Sequence, residues 1–568
     1  RGQVRVGLVT ETTTGTPHWV LAFSLAVAAA AASACATTPP QTTVTADEIP
    51  PAVVEPPSQA TVAPKLVVLI VLDQFGSWVL NEHLPLLPSD SVIRRAYEDG
   101  AFHTTEFPYA STQTAPGHAS LVTGVTPAQH GIVANAIYDP ATGSRRTVDD
   151  KKHAVLGNPE RFVSPTQLHA QTVADILSES TGGAARIVGI SMKGRSAVLP
   201  VGQKPDTAVF YDAIARGMTT STFYAPKGRL PEWLHDFNKA NPVEPLLQTW
   251  QPEDPARWEQ HFGQDDRPGE MYPAFPHDPR EAADPWYAFS GTPESSEYLI
   301  AAAYAVIKAE RMGLDDVPDF LALSISGTDI VGHIWGARSW EYADNLARID
   351  RALTRFVRLL EARGPVAFVL TADHGVADLP ERAEAEGVSG GRLPAQTLLD
   401  AAERAADEAL GEGDWIAGYV SPLLTYTTAG KARHEDLTRA LEQAMPSVQG
   451  VRAVYDAHDG AALRASNRRI ERLVGENLPD DPPGDLYLVP KPGWFDALSE
   501  NGGTNHGTPW DYDRQVPVLM WGTAIERRTS SDVLNVLRVA ATLAALLDIP
   551  PPPDAPKSPL PGVMRLPD

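Results

Sequence analysis

The chain is 568 residues long, 43% hydrophobic and 21% charged, a composition that excludes a polymer too polar to fold and is long enough for one large or two medium domains. Its 71 acidic against 47 basic side chains give a formal charge of -24, which excludes a protein that wraps a nucleic-acid backbone and means that an anionic substrate needs a locally positive site. A single cysteine excludes an intramolecular disulfide.

Residues 19–34 (WVLAFSLAVAAAAASA) carry no charge and end in small residues, as the apolar core and cleavage region of an export signal do. The run is short for a membrane span. Cys35 follows directly and resembles the lipid-attachment residue of bacterial lipoproteins, with Ala32 where a leucine is usual. A plain cleaved signal and an alanine-rich helix with an incidental cysteine are the alternatives. Residues 1–35 are expected to direct export to the periplasm, with membrane attachment if Cys35 carries a lipid. Residues 36–64 hold seven prolines and only acidic charges, which reads as an extended tether.

The folded domain is expected over 65–568. Leu66 to Leu72 is a continuous apolar run rich in β-branched residues, the pattern of a strand buried on both faces of a parallel sheet, and it ends on Asp73. Thr114 follows in Ser111-Thr112-Gln113-Thr114-Ala115-Pro116-Gly117-His118. Pro116 favours a helix start, which places Thr114 at a helix N-terminus where free amides stabilise an alkoxide and a bound phosphoryl oxygen. A threonine that merely caps the helix fits the same pattern.

Residues 186–192 form a second strand run, followed by Lys193 and Arg195, which in isolation read as a solvated pair at a strand end. Residues 320–325 are a third, and Asp329 and His333 lie just beyond, spaced as a helical pair. Leu346, Ile349, Leu353, Phe356, Val357 and Leu360 then mark an amphipathic helix. Residues 366–371 run into Asp373 and His374. His506 lies in a Gly-rich loop before a last run at 516–521, and 533–547 reads as another helix.

Alternating strands and helices predict an α/β fold with a mostly parallel central sheet flanked by helices. Stretches at about 200–295 and 376–500 break the rhythm and are expected to be lid-like insertions, the second with a strand at 419–426. Aromatics in the first, such as Trp250, Trp258 and Trp286, are expected to pack or to stack on a leaving group.

In open α/β sheets ligands gather beyond the carboxyl ends of the strands, which is where Asp73, Asp329, Asp373 and His374 fall. Asp and His together suit zinc, although manganese and iron accept the same donors. A hydroxyl beside such a set is what two metal ions need to attack a phosphate ester.

These motifs resemble those of the alkaline phosphatase superfamily. Thr114-Ala115-Pro116-Gly117-His118, the later His130-Gly131-Ile132-Val133, Asp329-x-x-x-His333, Asp373-His374-Gly375 and His506-Gly507 match its nucleophile and metal motifs in order. The resemblance implies two Zn2+ per chain, one on Asp329, His333 and His506, the other on Asp73, Asp373, His374 and Thr114. It also implies that Asn135 contacts phosphate. Lys193 and Arg195 are similar to the Lys-x-Arg pair of the periplasmic, phosphate-irrepressible bacterial alkaline phosphatases, a cationic clamp that favours a doubly charged monoester over a diester. Amides near Ala115 would help to hold the transferred group.

The function implied is a phosphate monoesterase acting on small phosphorylated metabolites through a phosphothreonine. A nucleotide phosphodiesterase or pyrophosphatase on the same scaffold is the nearest alternative, and an exported metal- or phosphate-binding lipoprotein without turnover is the alternative from another class. A sulfatase is excluded because no Cys/Ser-x-Pro-x-Arg context surrounds Thr114.

Overall fold

The computed structural model describes residues 62–272, 274–499 and 502–565. The expected export segment, Cys35 and nearly all of the tether lie outside these residues.

The strands β1 (Leu66–Leu72), β2 (Ala101–Glu106), β3 (Ile187–Ser191), β4 (Thr207–Asp212), β5 (Gly217–Thr219), β6 (Asp319–Ile325), β7 (Val366–Thr371), β8 (Gln515–Gly522), β9 (Arg528–Thr529) and β10 (Leu534–Asn535) form one sheet. Its order is β9-β2-β8-β7-β1-β6-β3-β4-β5, with β10 also pairing to β2. The heart of the sheet is parallel: β1 lies between β6 and β7, and β3 and β4 extend it beyond β6. Every residue of β1 is buried, as its unbroken apolar run requires when helices cover both faces.

Register decides where the chemistry goes. Leu72 pairs with Ile325, Val71 with Thr371 and Ser324 with Ser191. Asp73, the turn before Asp329, the Asp373-His374 pair and Lys193 therefore leave the sheet at one edge. The run at 516–521 is a strand, but β8 is antiparallel to both β7 and β2. That direction brings the loop before β8, which carries His506, and the segment after β2, which leads to Thr114, to the same edge.

Thr114 opens α1 (Thr114–Thr123), a helix buried along its whole length. Asp329 and His333 ride on α2 (Gly327–Trp335), and α3 (Trp340–Glu361) packs its apolar stripe under α2 and the sheet, with all six expected positions from Leu346 to Leu360 buried. The C-terminal helix starts later than its periodicity suggests, at Arg538, because Leu534 and Asn535 pair with the edge of the sheet.

β4 and β5, within the stretch at about 200–295, belong to the central sheet, and the aromatic-rich helices follow them. Trp250 and Trp258 both turn their indole N–H toward Asp344 on α3, so these two hold the helices against the domain rather than facing a ligand. The second stretch builds its own antiparallel sheet from Ile416–Val420, Leu423–Tyr426, Leu486–Pro490 and Val451–Asp456. The single strand expected at 419–426 is two strands of a hairpin turning at Ser421 and Pro422, a turn that period-two alternation alone does not mark. A shared apolar core joins this sheet, through Leu423, Tyr487 and Val489, to Ala110, Val133 and Ala134 beside the Thr114 segment.

Candidate active site

Seven of the side chains expected at the site lie together at the sheet edge: Asp73, Asp373, His374, Thr114, Asp329, His333 and His506. Asp73, Asp373 and His374 are fully buried. His374 Nε2 lies 3.3 Å from Asp73 Oδ1, 3.6 Å from Asp373 Oδ2 and 3.4 Å from Thr114 Oγ1. Asp329 Oδ1 lies 3.0 Å from His333 Nε2 and 3.6 Å from His506 Nε2.

The tautomers are fixed by the backbone. His333 Nδ1 is 2.9 Å from the Thr504 carbonyl, His374 Nδ1 is 2.9 Å from the Gly375 carbonyl, and His506 Nδ1 is 2.8 Å from the Thr112 carbonyl. A carbonyl only accepts, so each Nδ1 carries a hydrogen, and a ring without a second proton turns an Nε2 lone pair toward carboxylate oxygen. Acceptor facing acceptor repels unless a cation or a proton sits between them. Ligands held about 2.0–2.1 Å from one tetrahedral zinc lie about 3.3 Å apart, and the separations above bracket that spacing. Asp73 Oδ1 and Asp373 Oδ2 are buried with only imidazole nitrogens beside them, at 3.2–3.6 Å, which fits a metal.

The donors form two groups that share His374. Proximity alone joins His374 to Asp329 and His506, because the His374 and His506 rings stack with centroids 3.5 Å apart. His333 Nε2 is nonetheless the nearest imidazole nitrogen to Asp329 Oδ1, at 3.0 Å, while His374 Nε2 stands 3.3 Å from Asp73 and 3.4 Å from Thr114.

Electrostatics reinforce the picture. At Asp73, burial and Asp329 push the carboxyl up, yet Lys193 and His374 outweigh them and hold it below the usual range. Asp329 is held well below that range, against burial, by His333 and Lys193. Burial, with Asp73 adding to it, pushes Asp373 up. Burial and then His374 press His506 well below an ordinary imidazole, whereas His374 itself is carried up to about 9 by Asp373 and Asp73 against burial.

The expected substrate contacts divide. Arg195 Nη2 is 3.4 Å from Thr114 Oγ1, where a guanidinium can reach a group attached to that oxygen. Lys193 Nζ instead bridges the two donor groups, 2.7 Å from Asp73 Oδ2 and 2.5 Å from Asp329 Oδ2. Asn135 accepts the Ala115 N–H through Oδ1 at 2.8 Å, so that amide orients Asn135 rather than awaiting a phosphoryl oxygen. Gln113 caps the arrangement by accepting the Asn135 N–H through Oε1.

Gln74, Thr504 and Arg392 contribute without belonging to a recognised motif, and His118, inside the nucleophile motif, has a role the motif did not assign. Gln74 has a left-handed backbone (φ 67°); its N–H donates to Asp373 Oδ1 at 3.1 Å and its Nε2 to Asp329 Oδ1 at 2.9 Å. His118, one turn after Thr114, places Nδ1 2.9 Å from the Thr114 carbonyl and 3.2 Å from Asp373 Oδ2. Its neighbour Gly117 is required by packing, since a Cβ there would collide with the Asp373 carbonyl. Thr504 and Arg392 stitch the His506 loop down. The Gly503 N–H donates to the Gly269 carbonyl and the Thr504 N–H to the His333 carbonyl, while Arg392 bonds to the carbonyls of Gly503 and Gly269 and pairs with Glu381. Met271, in the same segment as Gly269, donates its N–H to the Ile334 carbonyl on α2. The sequence signals that could have found them are proximity to Asp73 for Gln74 and the i, i+4 step from Thr114 for His118.

Comparison with known proteins gives the family and the fold. The family model described as type I phosphodiesterase / nucleotide pyrophosphatase matches residues 67–511. The chain is 29% identical over 511 residues to alkaline phosphatase PhoV of Synechococcus elongatus, spanning 87% of this chain and 92% of that protein. It is 28% identical to a Myroides odoratus protein named a calcium-transporting ATPase, over 87% of this chain and 93% of the other. No helix among the described residues is long and apolar enough to cross a membrane. It is 27% identical to alkaline phosphatase PafA of Elizabethkingia meningoseptica over 89% of this chain and 96% of that protein. The crystal structure of wild-type PafA superposes with a TM-score of 0.82, covering 89% of this chain and 100% of that one.

Proposed function

Since the chain belongs to the type I phosphodiesterase / nucleotide pyrophosphatase family, a branch of the alkaline phosphatase superfamily, and is by that membership a phosphoester hydrolase, we propose that it is a phosphate monoesterase that works through a phosphothreonine at Thr114 with two zinc ions. The observation that carries the proposal is the convergence of Nε2 lone pairs on buried carboxylates around the Thr114 hydroxyl, beside the Arg195 guanidinium.

Asp329, His333 and His506 would hold one ion, and Asp73, Asp373 and His374 the other, next to Thr114. When bound, zinc supplies Lewis-acid stabilisation for the nucleophilic and departing oxygens. The chain does the positioning. α1 holds Thr114 at the first helical position, where its oxygen would face the phosphorus and the amide end of the helix would favour the negative charge that gathers there. Thr114 Oγ1, its proton lost to solvent, would bond to phosphorus as the bond to the leaving oxygen breaks and that oxygen takes up a proton; water would then attack phosphorus, breaking the bond to Oγ1, which regains a proton as inorganic phosphate is released.

Arg195 would hold the non-bridging oxygens through both reactions, and Asn135, oriented by Ala115, would supply a neutral donor. Lys193, lodged between Asp73 and Asp329, would keep the two donor groups at their working separation and add positive charge beneath the phosphoryl group. The Arg195 guanidinium supports a monoesterase over the diesterase that shares the scaffold, because a monoester brings a second charge to be neutralised. The proposed substrates are small phosphorylated metabolites, and the proposed setting is the periplasm or another exported compartment, with Cys35 as the candidate lipid-attachment point. Assay of zinc-loaded protein on a panel of monoesters, diesters and sulfate esters tests the reading. Diester turnover equal to or above monoester turnover would replace it with the phosphodiesterase.

A further inference from the structure

Away from this site, two imidazoles and two carboxylates converge in the second insertion. His434 begins the helix His434–Ala444, Asp456 ends the strand Val451–Asp456, His458 sits in the turn after it, and Asp485 immediately precedes the strand Leu486–Pro490. A ring nitrogen of His434, one of His458 and a carboxylate oxygen of Asp485 all lie within 4.8 Å of one another. His458 Nε2 is 3.4 Å from Asp485 Oδ1. That is long for a charge-assisted hydrogen bond, about 2.8 Å, and close to the roughly 3.3 Å between two ligands of one tetrahedral ion. The His434 and His458 rings meet edge-on with centroids 5.1 Å apart.

These donors are held in place. Asp485 is 3% exposed, and its Oδ2 accepts the Tyr426 N–H at 2.8 Å, which leaves Oδ1 for His458. Asp456 accepts the His458 N–H through Oδ1 and stands 2.7 Å from His434 Nε2 through Oδ2, so one carboxylate orients both histidine-bearing segments. Lys431 Nζ approaches Asp485 Oδ2 only to 3.8 Å on a side chain that is 58% exposed, a loose cation able to swing into solvent. With neutral imidazoles the cluster carries net negative charge even when Lys431 is included.

We propose that His434, His458 and Asp485, with Asp456 as the orienting carboxylate, form a further metal site for a divalent first-row cation. Two nitrogens with one or two oxygens suit Zn2+, and the set has too few oxygens for Ca2+. The site is structural: it ties a helix and two strands of the small sheet together. Ala457, between Asp456 and His458, belongs to the core shared with Val133 and Ala134, so the cation stiffens the support beneath the segment that carries Asn135.

The test uses the full chain loaded with Zn2+ and desalted, with metal content measured by mass spectrometry for the unsubstituted protein, His458→Ala and His434→Gln. His458 has a side chain 46% exposed, so its loss spares the core. Each variant should carry about one zinc equivalent per chain less, hydrolyse phosphoesters at an unchanged rate, and lose part of the rise in melting temperature that zinc produces. Zinc content equal to that of the unsubstituted protein in both variants overturns the proposal. The catalytic donors are untouched by either substitution, so this outcome is independent of whether the monoesterase reading holds.

Discussion

Gln74 donates its side-chain amide to Asp329 at 2.9 Å although the two residues leave neighbouring strands and are far apart in sequence. The same residue's N–H reaches Asp373, so one glutamine aligns a carboxylate in each donor group. Gln74→Ala should therefore lower metal affinity or activity about 10–100-fold, the usual loss when a group that orients a metal ligand is removed. Zinc-dependent activity titrations check it. A variant with unchanged zinc dependence would make Gln74 a packing residue.

Thr114→Ala should lower monoester hydrolysis by at least about 10³-fold, because it removes the oxygen that forms the covalent bond, whereas Thr114→Ser should keep part of the activity. Mass spectrometry of acid-quenched protein should find phosphate on Thr114. Rapid turnover by the alanine variant would point to direct attack by water.

Arg195→Ala should cost monoester hydrolysis about 10²–10³-fold and diester hydrolysis less, the pattern expected when a preorganised cation is lost from a dianionic substrate. The ratio of the two kcat/KM values is the readout. An unchanged ratio would show that the guanidinium does not distinguish the two charges.

Chelation should abolish hydrolysis and lower the melting temperature, since the Nε2 and carboxylate acceptors around Asp329 and Asp73 need a cation or a proton between them. Zinc should restore both. Activity that survives exhaustive chelation would sink the metal-dependent scheme.

Asp350 on α3 offers a pH test remote from the site. Burial pushes its carboxyl up to about 6, although hydrogen bonds from Ser91 Oγ and the Ile93 N–H favour the charged form. Its folded pKa is above the unfolded one of about 3.9, so its stabilising contribution is complete below that value and is lost as pH rises through about 6. Asp350→Asn does not titrate. Its melting temperature should gain on that of the unsubstituted protein between about pH 4 and pH 7, by up to roughly 3 kcal/mol in stability. A constant gap across that range would contradict the prediction.

The sequence was most readable where one physical demand dominated. β1, β6 and β7 are buried throughout and mostly apolar because both faces are covered, and the candidate ligands follow them, so sheet edge and motif point to the same place. β2 was hidden because its half-exposed alternation, Ala-Phe-His-Thr-Thr-Glu, is too polar to stand out until β8 pairs with it. The direction of β8 was equally hidden, since periodicity reports which face is buried and not which way the neighbour runs. Lys193 was expected on the phosphoryl group and lies between two carboxylates, a placement set by side-chain reach across strands. Gln74 and His118 act through contacts that only folding creates.

The loop that carries His506 is bonded on one side to Gly269 in the first insertion and on the other to His333, with Arg392 holding the insertion and the loop together. Substrate preference in an enzyme of this architecture is most easily diversified by rewriting such an insertion. Here every rewrite near Gly269 also tugs on two imidazoles of the candidate site. Natural variation and laboratory evolution of substrate range in this protein should consequently move through paired changes, one that reshapes the insertion and one in the loop or Arg392 that resets the histidines.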